Sequence, residues 1–405
     1  MSPLHKNTNS KENKETKTKT IVELTMSDSP PRRKPKQLSS EHLPYDVVFD
    51  ILTQLPVKSL IKFRCVSKSW NSMITKPDFI KTHFDIAKSL SHNNKNNNKG
   101  YLLYMPENDD FFFLLRKELC TVVCNSDRTF TEISRFQIPI THVRIVGFSN
   151  GMFCLHNFYN NVLYLWNPSI RKFKMLPNPH LTHPSYRRRV VLGFAYHSQN
   201  NDYKILRILI FYNKRAEAEV YTLSTDSWRK VQFELNIGSI DEIVESYCFF
   251  FNGALHSIAS SQDYKFILSF DLNDERFREI MLPPNYLDGA RQHSQSLAVF
   301  KGSLALIVLG EYLGGGRDIC HIWVMREYGV VESWTKESVL VDGFEKFFCC
   351  TDSGELLIHT FQRGFVSYDP ESLNWNKLLI LRPPWLSYTA DLMESLVLLD
   401  QVKCN

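Results

Sequence analysis

A glycine-led apolar run recurs along the chain at nearly equal spacing, and this periodicity restricts the possible fold more than any other feature. The run begins at five glycines, separated by 51, 102, 49 and 52 residues: Gly100, Gly151, Gly253, Gly302 and Gly354. A similar apolar run, from Asp202 to Leu206, lies near the middle of the double interval. A repeat of about 50 residues built from short β-type runs is typical of propeller blades, each of which is one supersecondary unit.

A second pattern keeps the same period. An aromatic or apolar residue is followed seven positions later by an aromatic residue, with a polar turn between them. The pairs are Val123/Phe130, Trp166/Phe173, Tyr221/Trp228, Phe270/Phe277 and Tyr368/Trp375, and Trp323/Trp334 has four extra residues. This spacing predicts a hairpin in which the two residues pair across neighbouring strands.

The two patterns together predict an all-β propeller of about six kelch-like blades over residues 100–400. Within each blade, we expect the glycine-led run to form an inner strand and the seven-residue pattern to form an outer hairpin. The number of blades is uncertain by one, because the strand pairing that closes the ring cannot be deduced from local pattern.

Residues 41–85 have a helical pattern instead. Apolar residues from Val47 to Leu55 fall at helical spacing, and Pro56 and Pro77 each interrupt a helix. The pattern predicts three short helices, which are too small a unit to bury an independent core. Such a unit needs a partner or a neighbouring domain to cover its apolar faces.

The net positive charge of the chain comes from its first 40 residues. Residues 1–40 contain nine Lys or Arg and four acidic residues, which accounts for the whole formal net charge of +5. We expect this basic tail to be disordered, because it has too few apolar residues to offset the entropy of ordering. Its segment 30–36 is either a nuclear import signal or a solvated basic stretch. The rest of the chain has no net charge, so it lacks the basic field of a nucleic-acid-binding protein.

The polar segment 86–99 is predicted to be a linker. Nine cysteines without a C-x-x-C pair indicate reduced thiols and a cytoplasmic and/or nuclear location. We find neither an apolar stretch typical of a signal peptide nor a run of 18 apolar residues, and so expect no membrane span.

Signatures of catalysis are weak. The sequence has no H-E-x-x-H, G-x-S-x-G or Walker A pattern. His180 and His183 are only two potential metal ligands, and Cys349–Cys350 lies in an apolar run typical of a strand core. We therefore predict no catalytic residue, no metal and no cofactor.

The stretch 43–74 resembles the F-box of the large plant F-box family. The resemblance rests on Leu43–Pro44, Pro56–Leu60 and Cys65–Lys68 followed by Trp70. The rest of the chain resembles the F-box-associated, kelch-like domain of the same family. The segments that carry this second resemblance are 151–155, 165–173, 192–207, 218–229, 250–256 and 394–399, and the last two are similar to S-locus F-box proteins.

The resemblance implies a substrate-recognition subunit of a cullin-based, SCF-type ubiquitin ligase. The F-box would bind a Skp-type adaptor, which attaches to a cullin scaffold, and the propeller would bind an unknown target protein. The implied adaptor-binding residues are Leu43, Pro44, Ile51, Leu52, Leu55, Pro56, Val57 and Leu60. The residues expected to form the core of the F-box are Phe63, Val66, Trp70 and Ile74.

Target binding is the least specified part of the sequence. Arg187, Arg188 and Arg189 form the densest charge outside the tail, and they are either an acidic-target contact or a solvated basic turn. Two alternatives to the ligase function stay open: a propeller scaffold without a degradative role, and a propeller enzyme with a degenerate F-box.

Overall fold

The protein is described here by a computed structural model. The described residues are 43–93, 100–106, 118–124, 130–181, 187–213, 215–233, 240–312, 318–380, 383–389 and 392–399. The predicted basic tail, residues 1–40, lies outside them.

Four helices, rather than the three predicted, come first. They are α1 (Tyr45–Thr53), α2 (Val57–Phe63), α3 (Lys68–Ile74) and α4 (Pro77–Asn93). Pro77 ends the helical pattern of α3 but also occupies the first position of α4, where a missing N–H costs nothing. Helix α4 therefore crosses the F-box boundary predicted at residue 85 and includes part of the predicted linker. None of the described helices has the length and apolar character needed to cross a membrane.

Six antiparallel sheets follow the helices. The first contains β1 (Gly100–Met105), β2 (Glu118–Cys124) and β3 (Phe130–Gln137). The second contains β4 (Val143–Ser149), β5 (Met152–Asn157), β6 (Val162–Asn167) and β7 (Lys172–Met175). The third contains β8 (Arg187–His197), β9 (Asp202–Phe211), β10 (Ala216–Thr222) and β11 (Ser227–Val231).

The remaining sheets repeat this plan. The fourth contains β12 (Glu242–Ile243), β13 (Phe249–Phe251), β14 (Ala254–Ser260), β15 (Lys265–Asp271) and β16 (Phe277–Met281). The fifth contains β17 (Ala290–Phe300), β18 (Ser303–Tyr312), β19 (Asp318–Met325) and β20 (Trp334–Val341), with a 3-10 turn at Val331–Ser333. The sixth contains β21 (Phe344–Cys350), β22 (Leu356–Thr360), β23 (Gly364–Tyr368) and β24 (Trp375–Lys377).

The sheets form a closed ring of six blades. Every neighbouring pair of sheets shares an apolar cluster, including the pair made by the sixth and the first. The ring is closed by a late strand, β25 (Trp385–Thr389), which pairs antiparallel with β1 so that the first sheet has the order β25-β1-β2-β3. The predicted six-bladed propeller is confirmed.

At three of the five repeat glycines, Gly151, Gly253 and Gly302, the preceding residue also has a positive φ angle. Asn150 and Gly151 both have positive φ angles, of 45° and 79°, and Asn252 and Gly253 have φ angles of 47° and 76°. Two consecutive residues with positive φ are the requirement of a type I′ turn, which joins twisted antiparallel strands. The repeated apolar run is the second strand of each sheet, an inner position between the first strand and the outer hairpin, as predicted.

The seven-residue pattern is the outer hairpin, as predicted. Four of the six predicted pairs are directly opposite each other: Trp166↔Phe173, Tyr221↔Trp228, Phe270↔Phe277 and Tyr368↔Trp375. In the other two hairpins the partner differs, and the observed pairs are Cys124↔Phe130 and Met325↔Trp334.

The seven cysteines whose side chains the structure describes are free thiols, and most of them lie in the sheet cores. Burial raises the pKa of the Cys248 thiol to about 12 and also raises the pKa of Cys154 and Cys320, so these thiols are unreactive. Cys65 differs, because it is exposed.

Candidate functional site

The four helices bury apolar side chains against one another and against the propeller. Leu52, Val57, Leu60, Ile74 and Phe79 are each at most 1% exposed. The ring of Phe79 meets that of Phe49 edge-on at 5.2 Å, and the ring of Phe63 meets that of Trp70 at 5.5 Å. Aromatic pairs in this geometry add to the stability that burial alone provides.

Local sequence sets where these helices begin. Pro56 precedes α2 with extended backbone, φ −58° and ψ 146°, which a continuing helix would not permit. Ser67 caps α3, because its side-chain oxygen accepts a hydrogen bond from the Trp70 backbone N–H at 3.1 Å. The chain therefore turns sharply twice within about 12 residues and folds the short helices against α4.

The helices rest on the propeller and on the last described residues, 392–399, which we call the C-terminal segment. Met393, Leu396, Leu398 and Leu399 are buried in the same apolar cluster as the helices and the second and third sheets. The segment is held on the second sheet by Asn167, whose Nδ2 donates to the Ser395 and Val397 carbonyls at 2.8 and 2.9 Å. On the other side, the ring of Phe84 in α4 lies 5.1 Å from that of Tyr196.

A polar contact also joins α2 to the C-terminal segment. The Val57 backbone N–H, at the start of α2, donates to Glu394 Oε2 at 3.1 Å. A carboxylate satisfies one of the N–H groups that a helix leaves unpaired at its first turn. Nearby, His83 Nε2 lies 3.0 Å from the Leu55 carbonyl, and burial lowers the pKa of this imidazole despite that hydrogen bond and the neighbouring Glu394 charge. His83 is therefore neutral near pH 7 and serves as a structural link.

The space around Gly151 shows how tightly the C-terminal segment is packed. A Cβ added there would lie 2.7 Å from the Met393 carbonyl oxygen and 3.0 Å from Ser395 Cβ, whereas one added at Gly253 meets nothing within 4 Å. Both glycines have similar positive φ, so an alanine costs about 1–2 kcal/mol of backbone strain at either. We expect Gly151→Ala to destabilise the protein by about 1–3 kcal/mol more than Gly253→Ala, through overpacking. Thermal unfolding of both variants measures this difference, and equal midpoints would contradict tight packing of the C-terminal segment against Gly151.

The eight residues predicted to bind an adaptor do not share one surface. Leu43, Pro44, Ile51 and Pro56 are exposed, and Leu55 is half-buried. Leu52, Val57 and Leu60 are buried, which corrects the surface position predicted for them. Helical spacing places apolar residues on two faces of α1 and α2, and the propeller and C-terminal segment cover one of these faces.

The predicted core of the F-box also needs one correction. Ile74 is fully buried, and Phe63 and Trp70 are half-buried. Val66 is instead 63% exposed, because it lies in the turn between α2 and α3. Sequence reasoning did not assign Tyr45 and Val47 to a surface either, although they are 50% and 41% exposed. The i, i+4 spacing of Val47 and Ile51 was the available signal for that shared face.

The exposed apolar residues of the helical unit are unusual for a solvent-facing surface. We call them the exposed F-box residues: Leu43, Tyr45, Val47, Ile51 and Val66. Several large apolar side chains within so short a stretch are the composition expected of a protein-binding surface. Their role in binding an adaptor stays a prediction.

The predicted target-binding arginines begin strand β8 and do not form a free loop. Arg189 is used within the chain: its Nη2 donates to the Val244 carbonyl at 2.7 Å, and its Nη1 lies 3.6 Å from Glu242. The side chains of Arg187 and Arg188 lie outside the described residues, so their predicted role stays untested.

Within the described ranges, no three His, Cys, Asp or Glu side chains are grouped as metal ligands. His183 lies outside these ranges, so the weak His180/His183 pair stays untested. Cys349 and Cys350 lie in β21, as their apolar context predicted.

Two family profiles match the chain. The profile described as the F-box domain matches residues 40–82, and the profile described as the F-box associated beta propeller domain matches residues 110–382. The first covers α1–α3 and the start of α4, and the second covers most of the propeller.

Several proteins of Arabidopsis thaliana are similar over most of their length. F-box protein At3g07870 is 30% identical over 84% of this chain and 88% of the relative. F-box/kelch-repeat protein At3g23880 is 27% identical over 74% of this chain and 80% of the relative. F-box protein CPR1 is 25% identical over 88% and 89%.

Proposed function

Because the chain belongs to the F-box proteins that carry an F-box associated beta propeller domain, we propose that it is the substrate-recognition subunit of an SCF-type ubiquitin ligase. Its F-box binds a Skp-type adaptor, the adaptor attaches to a cullin scaffold, and the propeller binds the protein to be ubiquitylated. The observation that carries the proposal is the set of exposed F-box residues, which lie in or next to helices that are otherwise well packed.

The adaptor contact has the chemistry of a helix-in-groove interface. Ile51 and Val47 present an apolar face of α1, while the opposite face is anchored on the propeller. This anchoring means that binding does not require the unit to expose Leu52 or Leu60. The interface is preorganised, so little ordering entropy opposes association.

The receptor works by position and performs no chemistry. The adaptor and the cullin bring the ubiquitin donor near, and the propeller holds the target within its reach. The gain is a high effective concentration of target lysines at the donor. The packing of the helices against the second and third sheets suits this role, because it fixes the direction in which a bound target is presented.

We expect Ile51→Lys to abolish adaptor binding. Ile51 is 50% exposed, so a lysine is tolerated in the free protein, but burying its charge in an apolar interface costs several kcal/mol. The expected loss of affinity is about a hundredfold or more. Surface plasmon resonance with a purified plant Skp-type adaptor measures it. Leu52 is unsuitable for this test, because its substitution would act on the core.

Leu373→Lys is the matched control. Leu373 is 59% exposed on the propeller, so it makes the same chemical change away from the helices. It should bind the adaptor as the unchanged protein does, with the same circular dichroism. An unchanged protein that fails to bind, or an Ile51→Lys variant that binds normally, contradicts the proposal.

A scaffold without a degradative role is the alternative that adaptor binding alone does not separate. Reconstitution with cullin, ubiquitin and their enzymes separates them, because a degradation receptor supports ubiquitylation of its bound partner and Ile51→Lys removes it. We propose a cytoplasmic and/or nuclear location, supported by the free thiols. The similarity to S-locus F-box proteins stays a prediction.

A further inference from the structure

The outer aromatic residue of the hairpin is covered in three sheets and exposed in one. Trp228, Phe277 and Trp334, in the third, fourth and fifth sheets, are at most 8% exposed. Phe173 has the same place in the second sheet and is 50% exposed. Among the residues that the structure describes, the second sheet therefore lacks the cover that the third, fourth and fifth sheets have at this edge.

The cover comes from the end of the outer strand of the preceding sheet. Nε1 of Trp228 donates to the Pro177 carbonyl at 2.8 Å, just after β7, and Nε1 of Trp334 donates to the Met281 carbonyl at 3.1 Å, in β16. For the second sheet the equivalent segment follows β3. The residue at that place in the second sheet, Phe173, has no N–H to donate, and the indole of Trp166, directly opposite it, has no hydrogen-bond acceptor among the residues that the structure describes.

A cavity of about 300 Å³ lies at this place, between the first and second sheets. Buried Trp166 and Pro168 line it together with Phe136 and Pro139 from the end of β3 and the turn that follows. A cavity of about 150 Å³ already holds a benzene ring, so this one has room for a large apolar side chain. Its size is at the lower end of the range for ligand pockets.

Two arginines line the cavity, and only one has a balanced charge. Arg135 Nη1 lies 2.7 Å from Glu118 and its Nη2 lies 2.8 Å from Glu132. Arg171 is exposed in the turn between β6 and β7, and within the described ranges it makes no ion pair. The cavity thus combines apolar walls with one cation that is available to an acidic group.

We propose that this cavity binds one aromatic or long aliphatic side chain of a partner's extended peptide, with a neighbouring carboxylate held by Arg171. A buried apolar anchor supplies most of the affinity of such contacts, and the exposed charge sets orientation and preference. That the peptide belongs to a ubiquitylation target rests on the proposed function, whereas peptide binding itself does not.

Fluorescein-labelled octapeptides test the site by fluorescence polarisation with the full chain. The peptides carry a central Phe, Leu or Ala, followed by Glu, Ser or Lys. We expect Phe–Glu and Leu–Glu peptides to bind about tenfold more tightly than Ala–Ser peptides. Equal binding of all peptides, or no binding of any, overturns the inference.

Three variants locate the binding. Gln137→Trp fills the cavity from an exposed rim position and should abolish binding of every peptide, while Arg171→Glu should change the preference from Glu to Lys. Arg276→Glu makes the same charge change in the β15–β16 turn, and it should bind as the unchanged protein does. Gln137→Trp and Arg171→Glu variants that keep the original affinity and preference overturn the inference, provided that their unfolding midpoints are normal.

Adaptor binding, measured on the same preparations, keeps the two proposals apart. Peptide preference without adaptor binding supports the cavity and contradicts the ligase function. Adaptor binding without peptide preference supports the ligase function and contradicts the cavity.

Discussion

A chain that ends at Ile380 is expected to lose its folded structure, whereas one that ends at Leu399 is expected to keep it. The shorter chain lacks β25, which closes the ring on β1, and also lacks the C-terminal segment. Five buried apolar residues are lost with them: Leu386, Met393, Leu396, Leu398 and Leu399. Truncating one such side chain costs about 2–5 kcal/mol. Five such losses total about 10–25 kcal/mol, which is comparable to or larger than the roughly 5–15 kcal/mol that stabilises a whole domain.

A third chain, ending at Thr389, separates the effect of ring closure from the effect of packing the helices on the C-terminal segment. It keeps β25 but lacks residues 392–399, so we expect a folded propeller with uncovered, poorly ordered helices. Circular dichroism should show a normal β contribution with a reduced helical signal, and limited proteolysis should cut first within residues 43–93. A chain ending at Ile380 that unfolds at the same temperature as one ending at Leu399 contradicts the role given to both segments.

Glu219→Ala is expected to be the most damaging single substitution in the propeller. Glu219 is fully buried on β10, directly opposite Arg207 on β9, and the two side chains form an ion pair. Its other oxygen accepts hydrogen bonds from the His180 and Leu181 backbone N–H groups at 3.0 and 3.2 Å. Removing the carboxylate takes away the charge that Glu219 places against the buried Arg207 guanidinium, which costs about 3–5 kcal/mol.

The double variant Arg207→Met/Glu219→Leu is the informative comparison. Replacing both charges with apolar groups removes the need for either partner, so we expect it to recover most of the lost stability. Chemical denaturation of the single and double variants measures the coupling between the two side chains. A double variant less stable than Glu219→Ala would show that the hydrogen bonds to His180 and Leu181 matter more than the charge pair.

The features that the sequence predicted are those encoded within one blade. A type I′ turn needs two positive φ angles in succession, which places a glycine at three of the five repeated positions, and a short outer hairpin places two aromatic residues seven positions apart. Such local constraints appear as a period in the sequence.

The features that were missed depend on contacts between distant parts of the chain. Leu52, Val57 and Leu60 are buried partly because the C-terminal segment covers them, and Val57 is 337 residues from Glu394. Helical periodicity reports that a face is apolar but not what covers it. The cavity beside Trp166 has the same origin, because it depends on how the first and second sheets meet.

The contact between α2 and the C-terminal segment also gives the protein a distinctive order of assembly on the ribosome. The helices are synthesised first, and 337 residues separate Val57 from Glu394. At about 5–20 residues per second, that interval lasts roughly 20–70 s. During this time the part of the helices' native cover that the C-terminal segment supplies is missing.

A nascent chain therefore displays the same apolar helices that a finished chain half conceals, and chaperones recognise such surfaces. A message with a premature stop codon before this segment would yield a protein that never completes their cover. Synthesis of the C-terminal segment, rather than synthesis of the F-box itself, is thus the event that completes the packing of the helices.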